Sequence, residues 1–202
     1  MKNNIILFGG SFDPIHIAHI KMADFAFKKL DAKQLIFIPA KQSPFKKQRP
    51  LFDDDDRIKM IEKVIENRSN FSVSDFEIHR QSPSYTIDTV KHFANIFTSQ
   101  IFVLIGADML KDLHNWHKID ELLTICDISI MNRGGYEKLN FDNFQNIMGQ
   151  KLTEKLKRNT IDTPFIEISS TEIREKLLNH QSTDGLLDKK VQNYIAQTDY
   201  NN

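Results

Sequence analysis

The chain has 202 residues, 40% of them hydrophobic, with 27 Lys plus Arg balanced by 27 Asp plus Glu. That length suits one folded unit with a sheet covered on both faces, and the zero formal net charge withholds the basic footprint of a protein for polymeric nucleic acid. The single cysteine, Cys126, excludes an internal disulfide and a multi-cysteine zinc site.

In chain order, Ile5 to Phe8 reads as a buried strand. It is too short for a signal-peptide core, and no later stretch approaches a membrane span, so a cytoplasmic location is expected. Gly9 to His19 follows as Gly-Gly-Ser-Phe-Asp-Pro-Ile-His-Ile-Ala-His: a glycine turn leading into a helix marked by Ile20, Ala23, Phe27 and Leu30. Backbone N–H groups at such a turn and helix start form an anion site. His16 and His19 share a helix face with Cβ atoms roughly 5–6 Å apart and can add donors to a phosphate. A packing coincidence and a zinc site are the competing readings of the pair. No third His or Cys lies at ligand spacing for zinc, and neither standard phosphate-loop motif is present.

Leu35 to Ile38 is a second strand, ending at Pro39. A loop with Lys41, Lys46, Lys47 and Arg49 follows, read either as solvated charge or as a basic lid over phosphates. Asp53 to Asp56 precedes the helical stripe Ile58, Ile61, Val64. Four carboxylates there cap free N–H groups and suit the helix dipole; a metal site is the sharper alternative. Ser84-Tyr85-Thr86 opens a helix through Ile87, Val90, Phe93 and Phe97. Ile101 to Ile105 is the most apolar strand and ends in Gly106-Ala107-Asp108, which carries Asp108 to the ligand edge of a sheet. His114, Trp116 and His117 cluster in the polar stretch beyond it. Trp116 reads as core filler or as a ring-stacking platform.

Asp127 to Met131 is a further strand, with Cys126 at its start as a small buried hydrophobe and Asn132-Arg133-Gly134-Gly135 after it. A polar helix is expected within 137–160 and a last short strand over Phe165 to Ile168. Ser169 and Glu172 then match a capping box. Ser170, Thr171 and Arg174 are not needed for capping and can form a second phosphate site. Val191 and Ile195 mark a terminal helix. His79, His92 and His180 stand in charged surroundings and are expected to face solvent.

Alternating strands and helices predict an α/β fold: a doubly wound, Rossmann-like parallel sheet with helices on both faces. One domain over 1–202 is expected, with the helices from about residue 169 packed as part of it. Ligands bind beyond the carboxyl ends of such strands, where Gly9, Pro39, Gly106 and Arg133 all fall.

With these residues laid out, the chain resembles the bacterial nicotinate mononucleotide adenylyltransferases, a branch of the nucleotidyltransferases marked by His-x-Gly-His. The resemblance runs through Gly9 to His19, Pro83 to Thr89, Ile105 to Met109, Trp116, Lys118 to Leu123, Arg133 with Gly135, Ile168 to Arg174 and Asp188 to Val191. It implies transfer of AMP from ATP to nicotinate mononucleotide, giving nicotinate adenine dinucleotide and pyrophosphate by direct attack, with Mg²⁺ bound through the ATP phosphates. It further implies that His16 and His19 contact those phosphates and that Gly9, Gly10, Ser11 and Phe12 cradle the nucleotide. Arg174 with Ser170 and Thr171 would grip the leaving pyrophosphate, and Lys46 would assist. Asp108 would lie on the adenosine side; Thr86, Trp116 and Arg133 would hold the nicotinate nucleotide. Four positions depart from the family pattern: Ala18 for the motif glycine, Phe45 for a loop histidine, His117 for an aromatic, and Gly134 for a proline. The alternatives are a nicotinamide mononucleotide or other phosphate acceptor, or a non-catalytic nucleotide sensor. Association into oligomers is left open.

Overall fold

A computed structural model of the chain describes residues 3–41, 50–80, 83–133, 139–163 and 167–198, with Arg133 described by its backbone alone. Among the described residues six strands form one sheet: β1 (Asn4–Gly10), β2 (Ala32–Pro39), β3 (Phe71–Val73), β4 (Ile101–Gly106), β5 (Asp127–Arg133) and β6 (Thr160–Thr163). Every pairing is parallel and the spatial order is β3-β2-β1-β4-β5-β6. The chain winds outward from β1 to one edge, then returns to β4 and winds to the other. The switch point between β1 and β4 opens the crevice in which this architecture binds ligands. The doubly wound parallel sheet expected from the sequence is the one observed.

Period-two alternation divides the core. Ile6 and Phe8 of β1 face one side, with Ala18, Met22 and Ala26 of α1 (Ile17–Lys29) and Met60 and Ile61 of α2 (Asp54–Ile65). Ile5 and Leu7 face the other, with Ile87, Val90 and Phe93 of α3 (Thr86–Ile96) and Leu122 of α4 (Ile119–Ile125). Phe144 of α5 (Asp142–Met148) and Leu156 of α6 (Gln150–Arg158) join that second layer. Ile173 and Leu177 of α7 (Ser170–Leu178) and Val191 and Ile195 of α8 (Lys189–Ile195) join the first. Cys126 is buried, and burial pushes its thiol pKa up to about 12, so it is inert packing.

Several local expectations change. Among the described residues the last strand is β6; of the expected strand Phe165 to Ile168, residues 165 and 166 lie outside the described set and 167–168 are not strand. Ile161 and Thr163 of β6 turn inward while Asp162 stays exposed, so its alternation holds only one large apolar residue. The three-residue edge strand β3 has no sequence signal of its own. The helix expected within 137–160 is two helices, split at Gly149, whose φ of +84° suits a residue without Cβ. His92 is not simply solvent-facing: its ring stacks on Phe76 at 3.9 Å. The aspartate run is a cap, with Asp53 accepting from Asp56 N at 2.8 Å. No helix among the described residues is long and apolar enough to cross a membrane.

Candidate active site

The turn after β1 is held from beneath. Phe12 adopts φ +45°, a left-handed conformation costing about 1–3 kcal/mol for a residue with a side chain. Its ring is 1% exposed and meets Phe8, Phe37 and His19 edge-on at 5.1–5.5 Å, which offsets that strain. A Cβ on Gly10 would stand 3.0 Å from the same ring, so glycine is what lets the turn settle on Phe12.

Buried charges then fasten the turn to its neighbours. Arg57 is 0% exposed and donates from Nη1 to Ser11 O and Ala40 O, at 2.7 and 2.8 Å, and from Nη2 to Asp54 Oδ1. This joins the turn to the end of β2. Asp13 accepts from Leu51 N and Phe52 N, both at 3.0 Å. Its backbone carbonyl accepts from Arg174 Nη1 at 2.9 Å, with Asp13 Oδ2 3.5 Å from that guanidinium. Ser170 Oγ donates to Pro14 O at 3.2 Å. Thus α7 starts against the loop that leads into α1.

His16 is the N-cap of α1 and His19 its third residue, and the two cap each other. His19 N donates to His16 Nδ1 and His16 N to His19 Nδ1, each at 3.4 Å. The rings stack at 3.7 Å, 18° from parallel. Because both Nδ1 atoms accept, a neutral ring carries its proton on Nε2. Each imidazole is thereby set as an Nε2 donor at a helix N-terminus, where negative charge is favoured. On α7, Ser169 Oγ accepts from Glu172 N, and Thr171 Oγ1 accepts from Arg174 Nη2 at 3.2 Å.

Beside this corner lies a cavity of about 540 Å³ at the carboxyl ends of β1, β2 and β4. Gly9, Gly10 and Ser11 form its side toward that corner; Tyr85, Thr86, Trp116 and His117 form much of the far side. Tyr85 and His117 stack at 4.3 Å, and the buried Trp116 Nε1 has no hydrogen-bond partner. A buried donor without a partner costs about 1–3 kcal/mol, which a polar ligand atom can recover. Asp108 borders the cavity, and a Cβ on Gly106 would stand 2.5 Å from Asp108 Oδ1. Only glycine at 106 leaves that carboxylate where it is. Among the described residues no group of three or more His, Cys, Asp or Glu is arranged to hold a metal ion.

A cytidylyltransferase-like family model matches residues 7–176. A Clostridium botulinum protein named "Probable nicotinate-nucleotide adenylyltransferase" is 35% identical, the match covering 95% of this chain and 94% of that one. A Clostridium tetani protein of the same name is 34% identical over 98% of each chain. The chain belongs to the nicotinate-nucleotide adenylyltransferase family. The fold agrees: the structure titled "Plasmodium falciparum nicotinic acid mononucleotide adenylyltransferase complexed with NaAD" superposes with a TM-score of 0.73 at 20% identity, covering 98% of this chain and 96% of that one.

Most residues singled out in the sequence for a nicotinate-nucleotide adenylyltransferase fall into two adjoining groups. His16, His19, Ser170, Thr171 and Arg174 make the bonded corner, whereas Asp108, Thr86 and Trp116 border the cavity, with Gly9 to Ser11 between them. Phe12 differs from expectation: its side chain belongs to the core, so only its backbone is available to a nucleotide. Ala18 is 1% exposed and packs in the first core layer. Lys46 and Phe45 lie outside the described residues, as do Gly134 and the Arg133 side chain. Arg57, Asp13, Tyr85 and Glu77 carry structural weight at the site that the sequence reading did not assign. The pairing of Tyr85 with His117 accounts for an aromatic ring at 117 being replaceable by imidazole, which also stacks.

Proposed function

We propose that the protein transfers AMP from ATP to nicotinate mononucleotide. A phosphate oxygen of the acceptor attacks the α-phosphorus of ATP, forming the phosphoanhydride of nicotinate adenine dinucleotide. The bond from the α-phosphorus to the bridging oxygen breaks, and pyrophosphate leaves with those electrons. The observation that carries this reading is adjacency: a cation- and donor-rich corner shares the Gly9–Ser11 edge with a cavity that Tyr85, Trp116 and His117 line on its far side. Two nucleotides laid across that edge bring one phosphate to the other, and holding them in line supplies most of the acceleration in such a transfer.

In this scheme the Nε2 donors of His16 and His19 meet charge that develops on the transferring phosphoryl oxygens. Arg174 uses two of its five N–H donors on Asp13 O and Thr171 Oγ1, and the rest of its fork serves the leaving pyrophosphate. Ser170, Thr171 and Lys46 complete that side. Asp108 takes the adenosine side, and Thr86, Trp116 and Arg133 take the nicotinate nucleotide. Magnesium would be held by the ATP phosphates as part of the substrate, where it would neutralise phosphate charge. A cytoplasmic setting belongs to the same proposal.

The test supplies ATP and magnesium with either nicotinate or nicotinamide mononucleotide and follows pyrophosphate release. Faster turnover of the acid form is expected. Faster turnover of the amide form would reassign the acceptor, and release at background rate with both would make the protein a nucleotide sensor.

A further inference from the structure

Glu77 is a buried acid with no part in the reaction as just described. It lies shortly after the edge strand β3, is 8% exposed, and borders the cavity together with Thr86 and Thr89. Its Oε1 accepts from Thr89 Oγ1 at 2.6 Å. Burial raises its pKa, against the opposing effects of the Thr89 and Ser84 hydroxyls and of Arg80.

Two flanking contacts grip the same helix. The Phe76 ring stacks on His92, and Arg80 Nη2 donates to Asp88 Oδ2 at 3.1 Å. The segment from 76 to 80 therefore holds α3 at Asp88, Thr89 and His92. That helix has eleven residues and its N-cap, Tyr85, makes no side-chain cap bond. A helix so short is marginal on its own, and its first turn depends on outside contacts. Thr89 is one turn beyond Thr86, on the same face. One Glu77 carboxylate oxygen is already committed to Thr89, so the acid is tied to α3 itself.

We propose that Glu77 is a positioning residue for the acceptor subsite: through Thr89 Oγ1 it sets the first turn of α3, and with it Tyr85 and Thr86, against Trp116 and His117. This rests on assigning the cavity to the acceptor nucleotide. The experiment is steady-state kinetics with ATP and nicotinate mononucleotide for wild type, Glu77→Ala, Glu77→Gln and Thr89→Val, with a thermal melt of each.

Glu77→Ala is expected to raise the acceptor KM roughly tenfold or more, the effect of breaking a buried charge-assisted hydrogen bond. The KM for ATP should stay within about threefold. Thr89→Val should reproduce that pattern, and Glu77→Gln should recover most of the lost acceptor affinity, since an amide oxygen still accepts from Thr89. Should Glu77→Ala not fold, the contrast between Thr89→Val and Glu77→Gln decides by the same readouts. Equal rises in both KM values, or a lowered melting temperature with the acceptor KM unchanged, would overturn the positioning role alone. A wild-type protein that transfers no AMP to nicotinate mononucleotide would overturn the acceptor assignment, and the role of Glu77 with it.

Discussion

The proposed phosphate corner and the proposed acceptor cavity share an edge but are built in opposite ways. In the corner, polar groups are spent on one another. The two histidines cap each other, Asp13 holds two backbone N–H groups, and Arg174 and Arg57 donate to backbone carbonyls. The cavity wall is largely apolar and aromatic, held by ring stacking, and leaves the buried Trp116 Nε1 unpartnered. The difference fits what each is proposed to bind. Phosphate charge develops during reaction and is best met by donors already fixed in place. A planar ring needs a flat surface and few directional bonds.

That contrast predicts that corner substitutions lower turnover while cavity substitutions weaken one substrate. The largest effect should come from His19→Ala, with kcat reduced about 10²- to 10³-fold, as when one preorganised donor is removed. Loss of half the reciprocal cap should also cost about 0.5–2 kcal/mol of stability. Pyrophosphate release and a denaturant melt measure the two; an unaltered kcat removes His19 from the chemistry. Next is Trp116→Ala, which should raise the acceptor KM roughly tenfold to a hundredfold, the worth of one base–aromatic stack. A matching rise in the KM for ATP would erase the division between the two regions.

Gly106→Ala sharpens the boundary between them. Its Cβ would displace the Asp108 carboxylate from 2.5 Å, so a several-fold loss of ATP affinity is expected, of the size of one disturbed hydrogen bond; equilibrium titration with ATP reads it. The smallest effect belongs to Ala18→Gly, which restores the family residue. Because Ala18 packs in the core, this change should leave kcat within about twofold and cost about 0.5–1 kcal/mol of stability. A large gain in kcat would show that the methyl obstructs the nucleotide.

Much of this site is legible without coordinates. The glycine turn, both histidines, the Ser169 cap with Arg174 one turn in, and the Gly106–Asp108 step are local patterns, each written within about six residues. So are the hydrophobic periods that set a parallel α/β sheet. What lay beyond reading depends on residues far apart in the chain. Glu77 meets Thr89 across the loop between β3 and α3, Asp13 meets Leu51 and Phe52, and Arg57 reaches Ser11. A buried charge announces nothing in the sequence, because an Arg or Glu looks the same whether solvated or enclosed. β3 and β6 were hidden for a related reason: short edge strands owe their conformation to the neighbour they pair with.

The sequence alone therefore determined the fold class, through local spacing and hydrophobic period, and the family, through motifs that resemble its known members. Only the tertiary structure decided that Phe12 supports the turn from the core, that the two histidines cap one another, and that the methyl of Ala18 faces inward. Which way a side chain points depends on where its element docks, and docking is settled by packing between distant segments.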